Sequence, residues 1–295
     1  MFKKIRYFIE WLLVGSALWY LERLDYKQAS DTGGALFRRI GPYLKRTRIA
    51  RHNLGRAMPE LDRQQREKII GGMWDNLGRV FAEFPHVGRM TTEDLNGILE
   101  VEGLEHLDTL RQLGRGGIFV SGHIANWEFS CKALAVNDFP LQLVYRKGNN
   151  PWLDRIIQES RNLYQTMAIP KGKYGARLLL QAIKERRHVG VLIDQKMNDG
   201  IPVPFFGRDA MTSPAIARLA LKFDCPIVPL HVVRKDGHLQ KFIISRPLLI
   251  EKTGDQAADI MSIMTRINSI LEGWIREHPA QWIWIHNRWP KENDR

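Results

Sequence analysis

The spacing of apolar residues changes along this chain, and each spacing predicts a different kind of element. Between residues 69 and 84 the apolar positions recur at intervals of three and four, the period of an amphipathic helix. These positions are Ile69, Ile70, Met73, Trp74, Leu77, Val80, Phe81 and Phe84. Asp62 suits the N-cap of this helix, and Pro85 is placed to end it. Upstream, residues 33–58 mix apolar and basic positions, which predicts a basic amphipathic helical region ending at Pro59.

From residue 98 onward, short apolar runs alternate with helical patterns. The candidate strands are 98–101, 118–121, 141–145, 189–193, 227–233 and 242–245, and the candidate helices are 103–113, 126–136, 151–165, 174–186, 212–223 and 257–277. Strands that alternate with helices predict an α/β fold, a sheet covered by helices. The predicted organisation is a hydrophobic segment over 1–24, a basic helical region over 25–95 and an α/β domain over 96–295, with no flexible linker between them.

The N-terminal segment has the pattern of a membrane anchor. Lys3, Lys4 and Arg6 precede an uncharged run over residues 11–21, whereas a full bilayer crossing needs about 20 apolar residues. No small-residue cleavage site follows, so a signal peptide is not favoured. Aromatic residues at both ends are typical of interfacial anchoring. The prediction is a membrane-associated helix that either spans the bilayer or lies in its interface, and the alternative is a core helix packed on the domain.

Charge narrows the class of partner. The formal net charge of the 295 residues is +12, which favours an anionic partner such as nucleic acid, an acidic membrane surface or a phosphorylated substrate. None of the usual nucleic-acid-binding motifs occurs. The two cysteines, Cys131 and Cys225, sit in apolar sequence and predict buried thiols in a reducing compartment.

The strongest chemical signal surrounds His123, which follows the candidate strand 118–121 through Gly122. Catalytic groups commonly lie at the carboxyl ends of strands in open α/β sheets. Glu128 lies one turn into the next helix, where its carboxylate is expected to accept a hydrogen bond from the imidazole and leave the other nitrogen free as a base. Asn126 suits the N-cap of that helix. Neither the H-E-x-x-H pattern of zinc proteases nor the G-x-S-x-G pattern of hydrolases is present.

Further polar residues follow other candidate strands. Arg146 is placed to bind phosphate or to stabilise an oxyanion, with a solvated loop cation as the alternative. Lys171 and Arg177 flank a helix start whose backbone amides suit an anionic group. Asp194 and Gln195 again stand at a strand end.

Two segments have open interpretations. The apolar, proline-rich residues 200–207 either line an apolar tunnel or cap the core. The tryptophan-rich residues 279–290 form either a structural lock or a membrane-facing belt, and His286 within them is expected to be structural rather than a base.

Several segments, taken together and in order, resemble the late acyltransferases of lipid A biosynthesis, the lauroyl/myristoyl transferase family of bacterial inner membranes. The matching segments are Asn53-Leu54-Gly55-Arg56-Ala57-Met58-Pro59-Glu60, the His-x4-acid box Gly122-His123-Ile124-Ala125-Asn126-Trp127-Glu128, Tyr145-Arg146, Asp194-Gln195, Val203-Pro204-Phe205-Phe206-Gly207, Thr212-Ser213-Pro214-Ala215 and Gln281-Trp282-Ile283-Trp284. A His-x4-acid box alone is moderately specific, whereas the ordered set is highly specific.

The resemblance implies a glycerophosphate-acyltransferase-like mixed sheet covered by helices, and transfer of a fatty acyl chain from acyl carrier protein to a hydroxyl of a lipid A precursor. His123 would be the general base and Glu128 its partner, with no acyl-enzyme. The substrate-binding residues would be Asn126, Arg146, Lys171, Arg177, Asp194 and Gln195. Neither a metal nor a cofactor is expected beyond the acyl carrier protein thioester as co-substrate. The expected location is the bacterial inner membrane, with the catalytic domain facing the cytoplasm and no nucleic acid bound.

Two alternative functions are consistent with the same residues. The first is an acyltransferase for another membrane lipid, such as a lyso-phospholipid, an ornithine lipid or a phosphoinositide mannoside. The second is a non-catalytic basic module that binds membranes or nucleic acid.

Overall fold

The computed structural model describes residues 2–290, and within them the chain forms eleven α-helices and nine β-strands. The helices are α1 (Phe2–Leu21), α2 (Tyr26–Ile40), α3 (Thr47–Ala57), α4 (Arg63–Val87), α5 (Thr92–Ile98), α6 (Glu105–Leu113), α7 (Glu128–Val136), α8 (Pro151–Asn162), α9 (Lys173–Lys184), α10 (Ala215–Phe223) and α11 (Gln256–Glu277). The strands are β1 (Leu99–Glu102), β2 (Ile118–Ser121), β3 (Leu141–Tyr145), β4 (Met167–Pro170), β5 (His188–Leu192), β6 (Ile201–Phe205), β7 (Arg208–Thr212), β8 (Ile227–Asp236) and β9 (Leu239–Ile244). Short 3-10 helices cover Gly41–Tyr43 and Pro279–Gln281.

Seven strands form one mixed sheet in the order β1-β9-β8-β2-β5-β3-β4. β8 and β9 pair antiparallel, and the other neighbours pair parallel. All four residues of the central strand β2 are buried, as expected for a parallel strand covered on both faces. This arrangement confirms the predicted α/β class with a mixed sheet covered by helices.

The sequence pattern predicted six of the seven strands of this sheet. Of the nine strands within residues 2–290, it missed three. The bounds of β2 and β3 are as predicted, and β1, β5, β8 and β9 differ from the prediction by a few residues. β4 was not predicted, and neither were β6 and β7, which form a separate antiparallel pair. This pair contains the proline-rich segment 200–207, whose Val203 and Phe205 are fully buried. The segment therefore caps the core, which was one of its two interpretations.

In the helical N-terminal region, one prediction is confirmed and one was wrong. The basic region 33–58 is helical, as predicted, and consists of the end of α2, a 3-10 turn containing Pro42 and α3. Pro85 does not end α4, which continues to Val87. A proline inside a helix removes one backbone hydrogen bond, but α4 packs against α2, α3 and α7, and tertiary packing supplies most of a helix's stability.

The helices α2 and α4 approach each other through glycine. A Cβ atom added to Gly33 of α2 would lie 2.3 Å from the backbone oxygen of Gly78 and 2.5 Å from the Cβ of Ala82, both on α4. Ala29 and Ala82 are fully buried at this interface. Small side chains therefore allow the two backbones to pack closely enough to hold the helical layer together.

The first helix lies on the outside of this layer. It packs against α4 and α8, and Asn150 donates a side-chain hydrogen bond of 2.9 Å to the carbonyl of Tyr7. Its only buried residue is Leu21, so α1 is not a core helix. Large apolar side chains remain exposed along it, including Leu13 at 67% and Trp19 at 57%. Among residues 2–290, no helix combines the length and the apolar character that a membrane crossing requires.

The close contact of α2 with α4 gives a stability prediction. We expect Gly33→Ala to lower the free energy of unfolding by about 1–3 kcal/mol, because the added methyl group overpacks the interface. Urea denaturation followed by circular dichroism measures this change.

Gly71→Ala on α4 is the matched control, since a Cβ there meets no heavy atom within 4 Å. Alanine is the better helix former, so this variant should be unchanged or more stable by about 0.5–1 kcal/mol. Equal urea midpoints for the two variants would contradict the proposed backbone contact.

Candidate active site

The neighbouring strands β2 and β5 bring a histidine and an aspartate together. They pair in parallel with Ser121 opposite Leu192, so the residues that follow each strand emerge at the same edge of the sheet. His123 follows β2 and Asp194 follows β5, and the imidazole Nδ1 lies 2.7 Å from the carboxylate Oδ1. Because a carboxylate oxygen accepts, Nδ1 carries the proton in this contact and Nε2 is left free to accept one.

Asp194 is held in place by two further donors. Its Oδ2 accepts the backbone N–H of His123 at 2.7 Å and the indole N–H of Trp282 at 2.8 Å. The side chain is 1% exposed. Burial acts to raise the pKa of Asp194, but the charge and hydrogen bonds of His123, with that of Trp282, outweigh it and leave the pKa below its usual value. The carboxylate is therefore ionised and fixes the orientation of the imidazole.

The prediction that Glu128 orients His123 is wrong for this geometry. Both Glu128 oxygens are bonded elsewhere: Arg161 donates to Oε1 at 2.5 Å and to Oε2 at 3.1 Å, and Tyr164 donates to Oε2 at 2.7 Å. Burial acts to raise the pKa of Glu128, but the guanidinium of Arg161 dominates and the net shift is downward. The reason is positional: Glu128 begins α7 and contacts Arg161 near the end of α8, whereas Asp194 follows β5, the strand paired with the one that precedes His123.

His123 lies in the lining of a cavity of about 990 Å³, within the upper range for small-molecule sites. One part of the wall is apolar and comes from α1, α4 and α8. Its residues are Val14, Leu18, Leu77, Val80, Phe81, Phe84, Leu153, Ile156 and Ile157. The remaining wall comes largely from the loops and helix starts that follow the strands. The apolar wall and the imidazole of His123 therefore face the same cavity.

Several of the predicted site residues meet in this lining. Arg146, Lys171 and Gln195 line the cavity together with His123 and Glu128. Burial, followed by the nearby positive charge of Arg146, lowers the pKa of Lys171. Among residues 2–290, neither Arg146 nor Lys171 forms an ion pair with a carboxylate. Two unpaired cations thus face the same cavity as the imidazole.

Three predicted substrate-binding residues lie outside the cavity lining: Asp194, which contacts His123 instead, Asn126 and Arg177. Asn126 is fully buried, its amide donates to Glu83 at 2.8 Å, and its Oδ1 accepts the backbone N–H of Glu128 at 3.2 Å. Arg177 is exposed on α9. The N-cap of α7 is Trp127 rather than the predicted Asn126, although Asn126 still accepts the first N–H of the helix. Glu83 is far away in the chain, and no local pattern indicates its contact with Asn126.

The tryptophan-rich C-terminal segment is a structural lock rather than a membrane-facing belt. Trp282 and Trp284 are fully buried and Trp289 is 8% exposed. Trp282 bridges Ile124 in the loop that carries His123, in addition to its hydrogen bond with Asp194. The sequence did not predict that Trp282 donates to Asp194, because nothing in the neighbouring sequence indicates which acceptor an indole N–H will meet.

The two cysteines and His286 are other side chains with potential reactivity. Cys131 and Cys225 are buried free thiols, as predicted, and burial raises the pKa of Cys131 to about 12. The ring of His286 lies 5.6 Å from that of His123, and its burial lowers its pKa. In the part of the chain that the structure describes, no group of three or more His, Cys, Asp and Glu side chains is arranged to hold a metal ion.

Comparison with known proteins gives a match over almost the whole chain. Residues 1–291 match the model of the family described as bacterial lipid A biosynthesis acyltransferase. The lipid A biosynthesis palmitoleoyltransferase of Escherichia coli (strain K12) is 25% identical over 289 residues, covering 96% of this chain and 91% of the relative. The lipid A biosynthesis lauroyltransferase of the same strain is also 25% identical over 289 residues, covering 96% and 92%. A phosphatidylinositol mannoside acyltransferase of Mycobacterium tuberculosis (strain ATCC 25618 / H37Rv) is 24% identical over 286 residues, covering 91% and 84%.

The buried pair of Glu128 and Arg161 gives a prediction about stability and pH. We expect Glu128→Gln to lower the free energy of unfolding at pH 7 by about 3–5 kcal/mol, because Arg161 is left as an unpaired buried charge. The folded-state pKa of Glu128 is depressed, so its contribution is present above the unfolded-state pKa and is lost as the pH falls through the folded-state value. The difference in urea midpoint between wild type and variant should therefore shrink towards acid pH.

Glu159→Gln is the control, because Glu159 pairs with Arg155 at 2.7 Å on the surface, with its side chain 59% exposed. This change should cost about 0–0.5 kcal/mol at every pH. A loss as small as this for Glu128→Gln would show that the buried pair does not stabilise the fold.

Proposed function

Because the chain belongs to the bacterial lipid A biosynthesis acyltransferase family, we propose that it transfers a fatty acyl chain from acyl carrier protein to a hydroxyl of a lipid A precursor, with His123 as the general base. The observation that carries this proposal is the contact of 2.7 Å between Asp194 and His123, whose side chain lines a cavity that also has an apolar wall. The apolar surface suits an acyl chain, and the imidazole suits activation of an alcohol.

The chemical problem is that a hydroxyl is a poor nucleophile near neutral pH. With its Nδ1–H donated to Asp194, His123 presents Nε2 to the cavity and takes the hydroxyl proton as the oxygen attacks the thioester carbonyl. General-base catalysis of this kind contributes about 10²–10⁴-fold to the rate. The ionised carboxylate of Asp194 then stabilises the imidazolium that forms. Collapse of the tetrahedral intermediate breaks the C–S bond, and the imidazolium gives its proton to the departing thiolate, which leaves as the free thiol.

The apolar wall provides the site for the acyl chain. It is contributed by α1, α4 and α8, whose side chains enclose the cavity on the side away from the basic loops. Each buried methylene group of a fatty acid contributes about 0.8 kcal/mol of transfer free energy. Chain length then depends on how much of this wall the acyl group can cover.

Arg146 and Lys171 are proposed to bind anionic groups of the substrates and the oxyanion that forms during transfer. They line the cavity beside His123 without carboxylate partners among residues 2–290, so their charge is available to a ligand. A guanidinium binds phosphate in a two-pronged manner and also stabilises a developing oxyanion. Both the phosphates of a lipid A precursor and the thioester oxygen fit this description.

Direct transfer between the two substrates is favoured over an acyl-enzyme. Ser121 is buried within β2, and the Cys131 thiol has a pKa of about 12. A thiol of such high pKa is not ionised near neutral pH and is a weak nucleophile. Ser213 lines the cavity, but its hydroxyl has no hydrogen bond with His123 within residues 2–290 that would activate it. The hydroxyl of the acceptor is therefore proposed to attack the acyl thioester without an intermediate on the protein.

The proposed location is the bacterial inner membrane, with the catalytic residues on the cytoplasmic side. The exposed apolar face of α1 and the basic residues of α2 and α3 support this location, because such faces bind anionic lipid surfaces. On this basis α1 lies in the interface, with Val14 and Leu18 turned towards the cavity.

A second acceptor is favoured by one observation. The mycobacterial relative is named a phosphatidylinositol mannoside acyltransferase and aligns over 91% of this chain. A different anionic membrane lipid could occupy the same basic site. Mass spectrometry of lipid A from a strain lacking this protein separates the two candidates, since loss of one secondary acyl chain supports lipid A and an unchanged lipid A supports another acceptor.

The proposed base gives the direct test of the mechanism. Purified protein is incubated with a panel of acyl carrier protein thioesters and a tetra-acylated lipid A precursor. His123→Ala should abolish transfer, and Asp194→Asn should lower kcat by about 10²–10⁴-fold because the imidazole loses its orienting carboxylate.

Both variants are checked by circular dichroism and by membrane association, so that a loss of folding is not mistaken for a loss of chemistry. Full activity of His123→Ala in folded protein would refute the assignment of the base.

The exposed face of α1 gives a separate prediction. Leu13 is 67% exposed, and Leu13→Glu places a carboxylate on the proposed membrane face, which should weaken binding to vesicles containing anionic lipid by about tenfold or more. Co-sedimentation with vesicles measures the effect.

Leu249→Glu is the control, because Leu249 is 72% exposed but lies in the loop between β9 and α11. It should bind vesicles as the wild type does. Equal weakening by both substitutions would mean that binding follows net charge rather than the face of α1.

A further inference from the structure

We infer that the buried carboxylate of Glu83 is a positioning residue for His123, acting through Asn126 and the strained loop between β2 and α7. The inference rests on the proposed function only in treating His123 as the base. Neither Glu83 nor Asn126 lies in the cavity lining, so neither is placed to touch a substrate.

The loop that carries His123 has an unfavourable backbone conformation. Ala125 has a φ of 47°, in the left-handed region that residues with a Cβ rarely adopt, and it is fully buried. Such conformations persist only where the surrounding structure holds them. The residue stands two positions after His123, so relaxation of this loop would move the imidazole relative to Asp194.

Three hydrogen bonds from distant parts of the chain hold the loop. The backbone N–H of Ala125 donates to the carbonyl of Gln281 at 3.0 Å. The amide of Asn76 donates to the carbonyl of Ala125 at 3.4 Å. The amide of Asn126 donates to Oε2 of Glu83 at 2.8 Å, and this bond is the shortest of the three.

Glu83 is itself fixed by a buried arginine. Arg234 of β8 donates to Oε1 at 2.6 Å and to Oε2 at 3.0 Å, and Ser30 of α2 donates to Oε1 at 2.6 Å. Arg234 also donates from Nε to Asn76 at 2.9 Å, and its backbone is paired with the side chain of Gln281. Arg234 thus holds all three residues that bind the loop, Glu83 and Asn76 through its guanidinium and Gln281 through its backbone.

The burial of this ion pair argues for a role in geometry. Glu83 is fully buried and Arg234 is 9% exposed. Desolvation makes such a pair a poor source of stability compared with apolar side chains of similar size. Directional hydrogen bonds, in contrast, hold a strained loop in one arrangement, which apolar packing does not do.

The test exchanges donor and acceptor across the Glu83–Asn126 contact. Asn126→Asp removes the donor and sets two carboxylates against each other. Combining it with Glu83→Gln keeps the net charge and restores a donor–acceptor pair, now donating from position 83 to position 126. The amide gives up the bond that Oε2 accepts from Arg234 but keeps the oxygen that accepts at 2.6 Å, so recovery is expected to be partial. Ser30→Ala is the matched control, because it removes a donor to the same Glu83 carboxylate without touching the loop.

We expect Asn126→Asp to lower kcat by about 100-fold, with the KM for each substrate within about threefold of wild type, because a misplaced base slows chemistry rather than binding. The double variant should recover about tenfold or more of that loss, and Ser30→Ala should keep kcat within about threefold. Asn126→Ala, which adds no charge, should also lower kcat while leaving KM nearly unchanged. It takes the place of Asn126→Asp in the test if that variant does not fold.

Proton NMR of the Nδ1–H of His123, which is hydrogen-bonded to Asp194, gives a readout that needs no activity. Its downfield signal should shift or disappear in Asn126→Asp, return in the double variant and remain in Ser30→Ala. A wild-type protein without acyl transfer would refute the proposed function and leave this readout intact. Folded Asn126→Asp and Asn126→Ala proteins with wild-type kcat and an unshifted signal would overturn the positioning role, and so would a folded double variant that recovers neither.

Discussion

The hydrogen bond between His123 and Asp194 depends on the pairing of two parallel strands. Because Ser121 stands opposite Leu192, the two side chains leave the sheet at the same height and meet at 2.7 Å. A shift of either strand by one residue in this register would turn the side chains of that strand to the other face and separate the pair. The buried strands of the sheet core therefore set the position of the imidazole, and the hydrophobic packing of β2 and β5 is a condition for the proposed chemistry.

The sequence predicted the class of fold and the location of the site better than it predicted the partner of the histidine. Apolar runs with strand length identified β2 and β3, and the box around His123 marked a sheet edge whose residues line the cavity. The ordered motifs also indicated the family that the whole-chain match confirms, which excludes a purely non-catalytic binding module. Glu128 was chosen as partner because it is near in sequence, whereas the contact with Asp194 depends on which strand lies next to β2.

The residues that sequence reasoning missed share one physical property: their partners are far away in the chain. Trp282 donates to Asp194 across 88 positions, and Arg234 donates to Glu83 across 151. Periodicity and capping rules report local structure, so they have no access to such contacts. The interpretation of the proline-rich segment in β6 and β7 stayed open for a similar reason, because its burial depends on the helix α11 and on Trp289.

The two buried carboxylates of the site show how environment separates their roles. Both Glu128 and Asp194 have depressed pKa values, so each is ionised, yet their partners differ in kind. Arg161 keeps its charge at all ordinary pH, and its pKa is raised further by Glu128 although burial opposes this shift. An imidazole is the one side chain whose unperturbed pKa allows it to gain and lose a proton near neutral pH, so the proposed proton transfer needs the carboxylate bonded to His123 rather than that of Glu128. The ion pair of Glu128 and Arg161 lines the cavity, whereas Asp194 contacts His123 from outside the lining, so the two carboxylates are suited to different tasks at one site.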